Sequence, residues 1–598
     1  MQIAHIFNEH NGNNKKEFIT SQEFEEDYIK DYHRTYVKSD YNIYDDFSHK
    51  YYEALKPYAQ NSIISKYDEE KLNTLLEVLG NNIVMISGDF WGIQKFIFNG
   101  ISSKNASKIL RSRSAMVQLI TYVIVDIVKK EFENSDIVLF GAGKFLLFAK
   151  QEDNYNQKLQ SIQKELDKYF LKNYFGENGF ILSTTITTKD KLQDQNSDDM
   201  KRDLENLAQN NEDKKFTKFN LLNIEDEDIC IDIFKKELND DTVCKFCAKR
   251  ISEKNNACEV CLNQIKLGEK LTKNSYITIY HTKQRNENTL LLEYKGSYYY
   301  ARFFNDTPQD NYNTFDISTN KYSGIPKWSL NSYVAKEFDE IKTFEELSKN
   351  SSGLFALKAD VDKLGDTFRE YYMTSFKKFN RLSRELDFFF SDYATTLMEG
   401  KNLYTVFAGG DDLFVIGEYK DIIVYAKNLR EEFYKFSLQK ATLSMGLVMF
   451  KPSTPINYIS SMSDSAEARA KAILKDGKDR DGIDIFGISM KFGDFLKIEE
   501  EFEKVVIFLE KNKIDTTTFY YRIIELCDMR ENINENIKNA LWRSKLNYII
   551  RRNIDKDNND FNIFEILYSL IENHGEKLKP SLFLKIYANR DTTTKGDI

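Results

Sequence analysis

The chain has no apolar run long enough to cross a bilayer: its longest, Val117 to Val128, is broken by Asp126 and falls short of the ~20 residues a span needs. The N-terminal MQIAHIFNEH lacks the basic and then apolar segments of a secretory leader, so a cytoplasmic protein with no membrane partner is expected. Cysteine is scarce. Six in 598 residues exclude a disulfide scaffold, and because four of them cluster they point to metal rather than oxidation. Histidine is equally rare: none of the six (His5, His10, His33, His49, His281, His574) is followed by aspartate and none forms an HxxxH pair, so a His-Asp metal nuclease leaves no signature. Positive charge is in deficit, 84 Lys and Arg against 93 Asp and Glu for a net −9, which disfavours loose electrostatic binding of nucleic acid while leaving room for local patches.

Packing material is abundant. With 44 Phe, 35 Tyr and 41% hydrophobic residues the chain suits several packed cores, and its length corresponds to roughly three to five domains. The apolar run Ile83–Ile86 ends in Gly88-Asp89 and is followed by a helical pattern from about Ser107 to Lys130. SDIVLF and KFLLFAK then read as a hairpin, Asn156 to Tyr169 as a helix and Phe180 to Thr188 as a strand, an order that fits the ferredoxin-like plan. The polar stretch Asp190 to Asn239 reads as an insertion or flexible connection. Ser275 to Phe304 is strand-rich, with a turn at Lys295-Gly296, and Asn305 to Ser329 looks like loop.

At Leu354 the plan begins again: strand LFALKAD, a helix over Ser375–Met398, the hairpin LYTVFAGGDDLFVIG, a helix from Lys420 to Phe436 and a strand from Thr442 to Phe450. Laid on each other, the two copies set Gly143 against Asp411 and Lys144 against Asp412, as in a duplicated domain whose second copy alone keeps its hairpin carboxylates. Lys491 onward has helical spacing.

Three groups of residues carry chemistry. Gly409-Gly410-Asp411-Asp412, with Asp360 and Asp362 from ADVDKLG, brings carboxylates on adjacent strands ~4.8 Å apart towards one point. Hard oxygens without His or Cys suit Mg²⁺ or Mn²⁺, which can activate a 3′-hydroxyl and stabilise a leaving pyrophosphate, and the glycines would admit a triphosphate close to the backbone. Gly and Asp are also ordinary turn residues, so the motif gains weight from Asp360 at the matching strand end. Cys244-x-x-Cys247 and Cys258-x-x-Cys261 fit a closed tetrahedral zinc site with a structural role, while Cys230 and Cys527 read as ordinary buried thiols. Basic residues form the third group. Lys95, Lys104, Lys108, Arg111 and Arg113 lie in a stretch, Phe90 to Val125, with no acidic residue, and suit either a phosphate or RNA contact or a solvated face. Arg469, Lys471 and Lys475 sit on a helix expected over Asp464–Asp476 and capped by Gly477; they suit a triphosphate, though cations also favour helix C-termini for dipole reasons alone.

In order along the chain, SGDFWGIQKFIFNGISSKNASKILRSRS (87–114), FGAGKF, the two CxxC pairs, ADVDKLG and AGGDDLF resemble the large polymerase-cyclase subunit of type III-A (Csm-type) CRISPR effector complexes. The resemblance covers roughly Ile83 to Phe486. It implies an α+β multidomain protein with two ferredoxin-like palm domains, a Cys₄ zinc element and a helical C-terminal domain. The boundaries expected are 1–80 for an N-terminal helical region, 81–240 for a first, degenerate palm with an insertion, 241–345 for the zinc element and a β-rich linker domain, 346–490 for the second palm and 491–598 for the helical C-terminal domain. It implies ATP joined into cyclic oligoadenylates when guide CRISPR RNA has paired with target RNA, in a complex with other Csm-type subunits. Asp360, Asp411 and Asp412 would then be the catalytic metal-binding carboxylates, Gly409 and Gly410 the turn glycines, and Gly141, Gly143 and Lys144 would help hold a second ATP. Many relatives begin with a His-Asp nuclease domain; with no His-Asp dipeptide before the first palm, no deoxyribonuclease activity from such a site is expected. The competing expectations are a stand-alone GGDEF-like cyclic nucleotide synthase and a non-catalytic RNA and subunit scaffold.

Overall fold

The computed structural model describes residues 66–598 apart from 102–104, 142, 195–197, 223–241, 253–255, 309–312, 318–327, scattered positions in 329–350, most of 368–388, 438–440, 476–477, 554–561 and 597–598. The expectations for residues 1–65 and for Cys230 lie outside the described residues, as does part of the helix expected at Ser375–Met398, whose end is a π-helical turn, Phe389–Tyr393, continued by Ala394–Thr396.

After α1 (Lys66–Leu79) come β1 (Ile83–Trp91), α2 (Ala106–Glu131), β2 (Asp136–Gly141), β3 (Lys144–Lys150), α3 (Tyr155–Tyr174), β4 (Gly179–Thr187) and α4 (Asp198–Phe216). The four strands pair antiparallel in the order β2-β3-β1-β4, the ferredoxin-like order. Alternation along each strand assigns the faces. Val84, Ile86, Leu147 and Ala149 pack with α2 and α3, whereas Ile83, Met85, Leu146 and Phe148 pack with α1 and α4.

Helix α4 corrects the reading of a flexible connection over 198–216, while 223–239 of that segment lie outside the described residues. Only Met200, Leu204 and Leu207 among its apolar residues are buried, so three inward side chains in a run of Asp, Glu, Lys and Asn anchor 19 helical residues. That is too thin a stripe to stand out in a polar segment.

Helix α5 (Glu259–Lys273) follows the cysteine module, and β5 (Tyr276–Thr282), β6 (Thr289–Tyr294), β7 (Ser297–Phe304) and β8 (Thr314–Asp316) form a sheet in the order β6-β7-β5-β8. The turn between β6 and β7 is made by Lys295 and Gly296, both with positive φ. Strand β8 falls inside the segment expected to be loop.

The second plan comprises β9 (Leu354–Val361), β10 (Leu403–Gly409), β11 (Asp412–Glu418), α6 (Tyr419–Phe436), β12 (Leu443–Phe450), α7 (Ile456–Lys471), β13 (Gly482–Ile485) and β14 (Ile488–Lys491). Its order is β10-β11-β9-β12-β13-β14: the four-strand order of the first sheet, extended by β13 parallel to β12 and by β14. A finer detail repeats as well. Register slips between Ile137 and Leu139 on β2 and between Thr405 and Phe407 on β10, in each case three residues before the glycine that ends the strand. Both faces of this sheet are covered, which is why its strands read as continuous apolar runs. Leu354, Ala356, Tyr404, Phe414 and Ile416 join the core of the first sheet and α2, while Phe355, Leu357, Ala359, Leu413 and Val415 face α6 and the C-terminal helices. Those are α8 (Phe492–Lys511), α9 (Thr517–Glu531), α10 (Trp542–Asn553), α11 (Asn562–His574) and α12 (Lys579–Gly596). Among the described residues no helix is long and apolar enough to cross a membrane.

Candidate active site and cysteine centre

The register of β9 against β11 makes Asp360 and Asp412 direct cross-strand partners, with Asp411 alone between Asp412 and the Gly-Gly pair. Both carboxyls titrate above the ordinary carboxylate range. Burial is the first cause at Asp412, reinforced by the charges of Asp411 and Asp360, and lifts it to about 7. Burial also raises Asp360, against the pull of Lys471. Confined carboxylates that resist ionising together call for a cation. Lys471, on the last turn of α7, supplies one: its Nζ lies 2.6 Å from Asp360 Oδ2 and 2.5 Å from Glu467 Oε1. Taken together, the three aspartates do not bring ligand oxygens as close as 4.8 Å; among the described residues only a cysteine set does so.

Asp362 is placed differently from its expected role at the phosphates. It is buried and its oxygens accept from Ser444 Oγ at 2.7 Å, Thr442 Oγ1 at 2.7 Å and the Asp481 N–H at 2.9 Å, so it ties β9 to β12 and to the start of β13. Three donors leave it little capacity for a ligand. The basic helix also differs. It ends at Lys471, capped by Ala472, not at Gly477, because Leu474 and Lys475 turn into a two-residue strand paired with Lys478 and Asp479. Lys475 is therefore off the helix that carries Lys471. Arg469 is engaged twice by Asp484, at 2.8 Å each, and is not directed by α7 to the carboxylates.

One residue escaped the sequence reading. Asp387 Oδ1 accepts the N–H of Gly410 at 3.1 Å, and a β-carbon at Gly141 would stand 3.0 Å from the same oxygen. This carboxylate thus lies between the glycine hairpins of the two sheets and fixes the second, whose Gly410 has φ 66, a left-handed value that favours glycine. Gly409 pairs with Asp412 at the base of that hairpin. In the first hairpin the Gly143 carbonyl accepts from the Phe90 N–H at 2.9 Å, with Val117 and Ile93 behind it. Lys144 starts β3, paired in register with Asp89 as Asp412 is with Asp360. Lys144 is exposed and makes no ion pair with a described residue. Asp89 is neutralised instead by Lys215, at the end of α4, 2.8 Å away.

Cys244, Cys247, Cys258 and Cys261 are all buried, with sulfurs within 4.8 Å of one another and Cys247 to Cys258 at 3.9 Å. A tetrahedron with Zn–S of ~2.3 Å has sulfurs about 3.8 Å apart, so the donor set and spacing fit zinc. Arg250 adds a guanidinium 3.7 Å from Cys247 Sγ, and hydrogen bonds from Cys258 and Cys261 drive the Cys247 thiol well below its usual range. The isolated Cys527 behaves as expected of an interior thiol, raised to about 12 by burial.

The two arginines of the basic stretch on α2 turn inward, a correction to their reading as a phosphate, RNA or solvated face, whereas Lys95 is exposed and Lys108 partly so. Arg111 donates to the Gly268 carbonyl at 2.7 Å, and Arg113 to Gln264 Oε1 at 3.0 Å and to the carbonyls of Phe96, Ile97 and Asn99. Lys108 pairs with Glu269 at 2.6 Å. Helical spacing aligns these cations on one face, but their acceptors come from α5, some 150 residues later, and from carbonyls within 96–99. Lys104 lies outside the described residues.

Comparison with known proteins agrees with this architecture. Residues 354–483 match the family model "Cas10/Cmr2, second palm domain", and residues 82–230 match "Csm1 subunit domain B". Two similar proteins share the name "CRISPR system single-strand-specific deoxyribonuclease Cas10/Csm1 (subtype III-A)". That of Streptococcus thermophilus is 24% identical over 84% of this chain and 67% of its own length, and that of Enterococcus italicus 25% over 79% and 63%. The chain thus spans about two thirds of the length of these relatives. Among solved structures, a Csm1-Csm4 cassette in complex with cA4 superimposes with TM-score 0.65 at 18% identity, over 95% of this chain and 81% of that one. The cassette in complex with one ATP gives 0.63 at 18% identity, over 86% and 74%. At that identity the likeness is one of fold. The class to which fold and site are similar is therefore the Cas10-type palm proteins. Within that class, the similar proteins are Cas10/Csm1 proteins of subtype III-A CRISPR systems.

Proposed function

We propose that this chain is the catalytic large subunit of a type III-A RNA-guided effector complex, and that it joins ATP into cyclic oligoadenylates when target RNA pairs with the guide CRISPR RNA. The observation that carries the reading is the pairing of Asp360 with Asp412 beside a Gly-Gly turn, in the segment that matches the Cas10/Cmr2 second palm. Similar cassettes solved with ATP, AMPPNP, pppApA and cA4 support the substrate and product class. The first sheet, with the same strand order and bulge, is a second, degenerate palm. Other Csm subunits are its partners, by analogy with the Csm1-Csm4 pairs.

In this reading Asp360, Asp411 and Asp412 hold Mg²⁺ or Mn²⁺, which when bound lowers the pKa of a 3′-hydroxyl and offsets triphosphate charge. The chain's own groups do the rest. The Gly410 turn, held by Asp387, admits phosphate oxygens close to the backbone, Lys471 contacts them from α7, and Lys144 offers a cation from the first hairpin to a second ATP. The four cysteines hold a structural zinc.

The test is the assembled complex with target RNA, ATP and Mg²⁺, its products weighed by mass spectrometry. Asp411→Ala with Asp412→Ala should abolish product and leave assembly intact; failure to assemble would favour the scaffold reading, and a linear or cyclic dinucleotide made without RNA would favour a stand-alone synthase. The deoxyribonuclease activity named for the relatives is not part of the proposal, because no histidine of the chain precedes an aspartate. Metal-dependent cleavage of single-stranded DNA, lost on mutating His5, His10 or His49, would restore it.

A further inference from the structure

Behind Asp360 runs an unbroken series of alternating charges. Lys358, two residues earlier on β9, is only 6% exposed. Its Nζ lies 2.8 Å from Glu467 Oε2 and 2.6 Å from Asp464 Oδ1. The other oxygen of Glu467, Oε1, faces Lys471 at 2.5 Å, and Lys471 faces Asp360 at 2.6 Å. Glu467 is itself buried and thus gives one oxygen to each lysine. Helix α7 comes close enough for this because β12 has Gly446 beneath it: a methyl group there would fall 2.3 Å from the Glu467 amide nitrogen.

We propose that Glu467 is a positioning residue that sets how strongly Lys471 competes with a divalent cation for Asp360. The proposal rests on the reading of Asp360, Asp411 and Asp412 as the metal site. Lys471 is shared between two carboxylates, one within the metal site and one outside it. Glu467 draws the ammonium outward and, by neutralising Lys358, keeps a second positive charge from acting on Asp360. Without the charge of Glu467, Asp360 is the sole carboxylate for Lys471, and Lys358 keeps only the half-exposed Asp464. Both changes oppose a metal cation. Removing the charge of Lys471 acts in the opposite sense.

The experiment is Mn²⁺ binding to the full chain without nucleotide, followed by the loss of the free-ion electron paramagnetic resonance signal. One unit charge about 6 Å from a divalent ion, at an effective dielectric near that of water, corresponds to about a tenfold change in affinity. Glu467→Gln should weaken Mn²⁺ binding by about that factor, Lys471→Met should strengthen it, and the double variant should return close to wild type. Lys471 is partly exposed at a helix end, so Lys471→Met keeps the proposal testable even if Glu467→Gln impairs folding. Unchanged Mn²⁺ affinity in Lys471→Met, or a double variant as weak as Glu467→Gln alone, would overturn the coupling. Wild-type binding that persists in Asp411→Ala/Asp412→Ala would instead overturn the metal-site reading itself.

Discussion

Lys215 reaches from the end of α4 to Asp89, 2.8 Å away, and repeats in the first sheet the grip that Lys471 has on Asp360 in the second. In both sheets the aspartate lies near the end of the central strand and the lysine on the helix after the fourth strand. The copies differ in the hairpin. Where Asp412 opposes Asp360, Lys144 opposes Asp89, so the first site has gained positive charge where the second has accumulated negative charge.

The raised carboxyl of Asp412 has a sign that can be checked. Its folded pKa of about 7 exceeds the unfolded value near 3.9, so the folded state binds the extra proton between those pH values and stability falls as pH rises through them. In chelator, Asp412→Asn should match wild type near pH 4, become progressively more stable than wild type up to pH 7, and hold a constant margin above. After allowance for solvent screening that margin is on the order of 2 kcal/mol. Denaturant titrations across pH would show it. A margin that shrinks towards alkaline pH would contradict the assignment.

Asp387 should matter through its acceptor oxygen. A backbone N–H donated to a carboxylate contributes roughly 1.5–3 kcal/mol, so Asp387→Ala should lower product formation by about tenfold or more, while Asp387→Asn, which keeps an acceptor, should retain most of it. Equal losses in the two variants would remove the hydrogen bond from the explanation.

Lys144→Ala should weaken ATP binding by about fivefold, the scale of one half-solvated cation on a phosphate, and reduce oligoadenylate yield. Unchanged nucleotide affinity in the assembled complex would leave Lys144 without that role.

The cysteine cluster should carry one zinc per chain. Elemental analysis would count it, and Cys258→Ser should both lose the ion and lower the unfolding temperature, since metal binding to such a site is coupled to folding. Catalytic loss without loss of zinc or stability would argue against a structural role.

Much of this was legible in the sequence because it is local. The hairpins, the central strands and the CxxC pairs are encoded by consecutive residues whose spacing fixes geometry, and the second copy of the strand order could be found by matching FGAGKFLLF to AGGDDLFVI. What stayed hidden depends on partners distant in sequence. Lys215 sits on a helix too polar to announce itself, and Asp387 meets Gly410 across 23 positions. For the arginines of α2, periodicity reveals a common face but not what covers it. Asp362, two residues from Asp360, looked equivalent to it until Ser444, Thr442 and Asp481 were seen to claim its oxygens.

Tyr404 donates its hydroxyl to the Ser107 carbonyl at 2.6 Å, with the Arg111 guanidinium 5.5 Å from the centre of its ring, and the same Arg111 holds Gly268 on the cysteine-bearing helix. The strand that delivers the Gly-Gly turn is thereby bolted through α2 to the thiol cluster, and the two form a single mechanical train. Damage at the sulfur end should loosen amide protons along 403–409 before it melts the sheet.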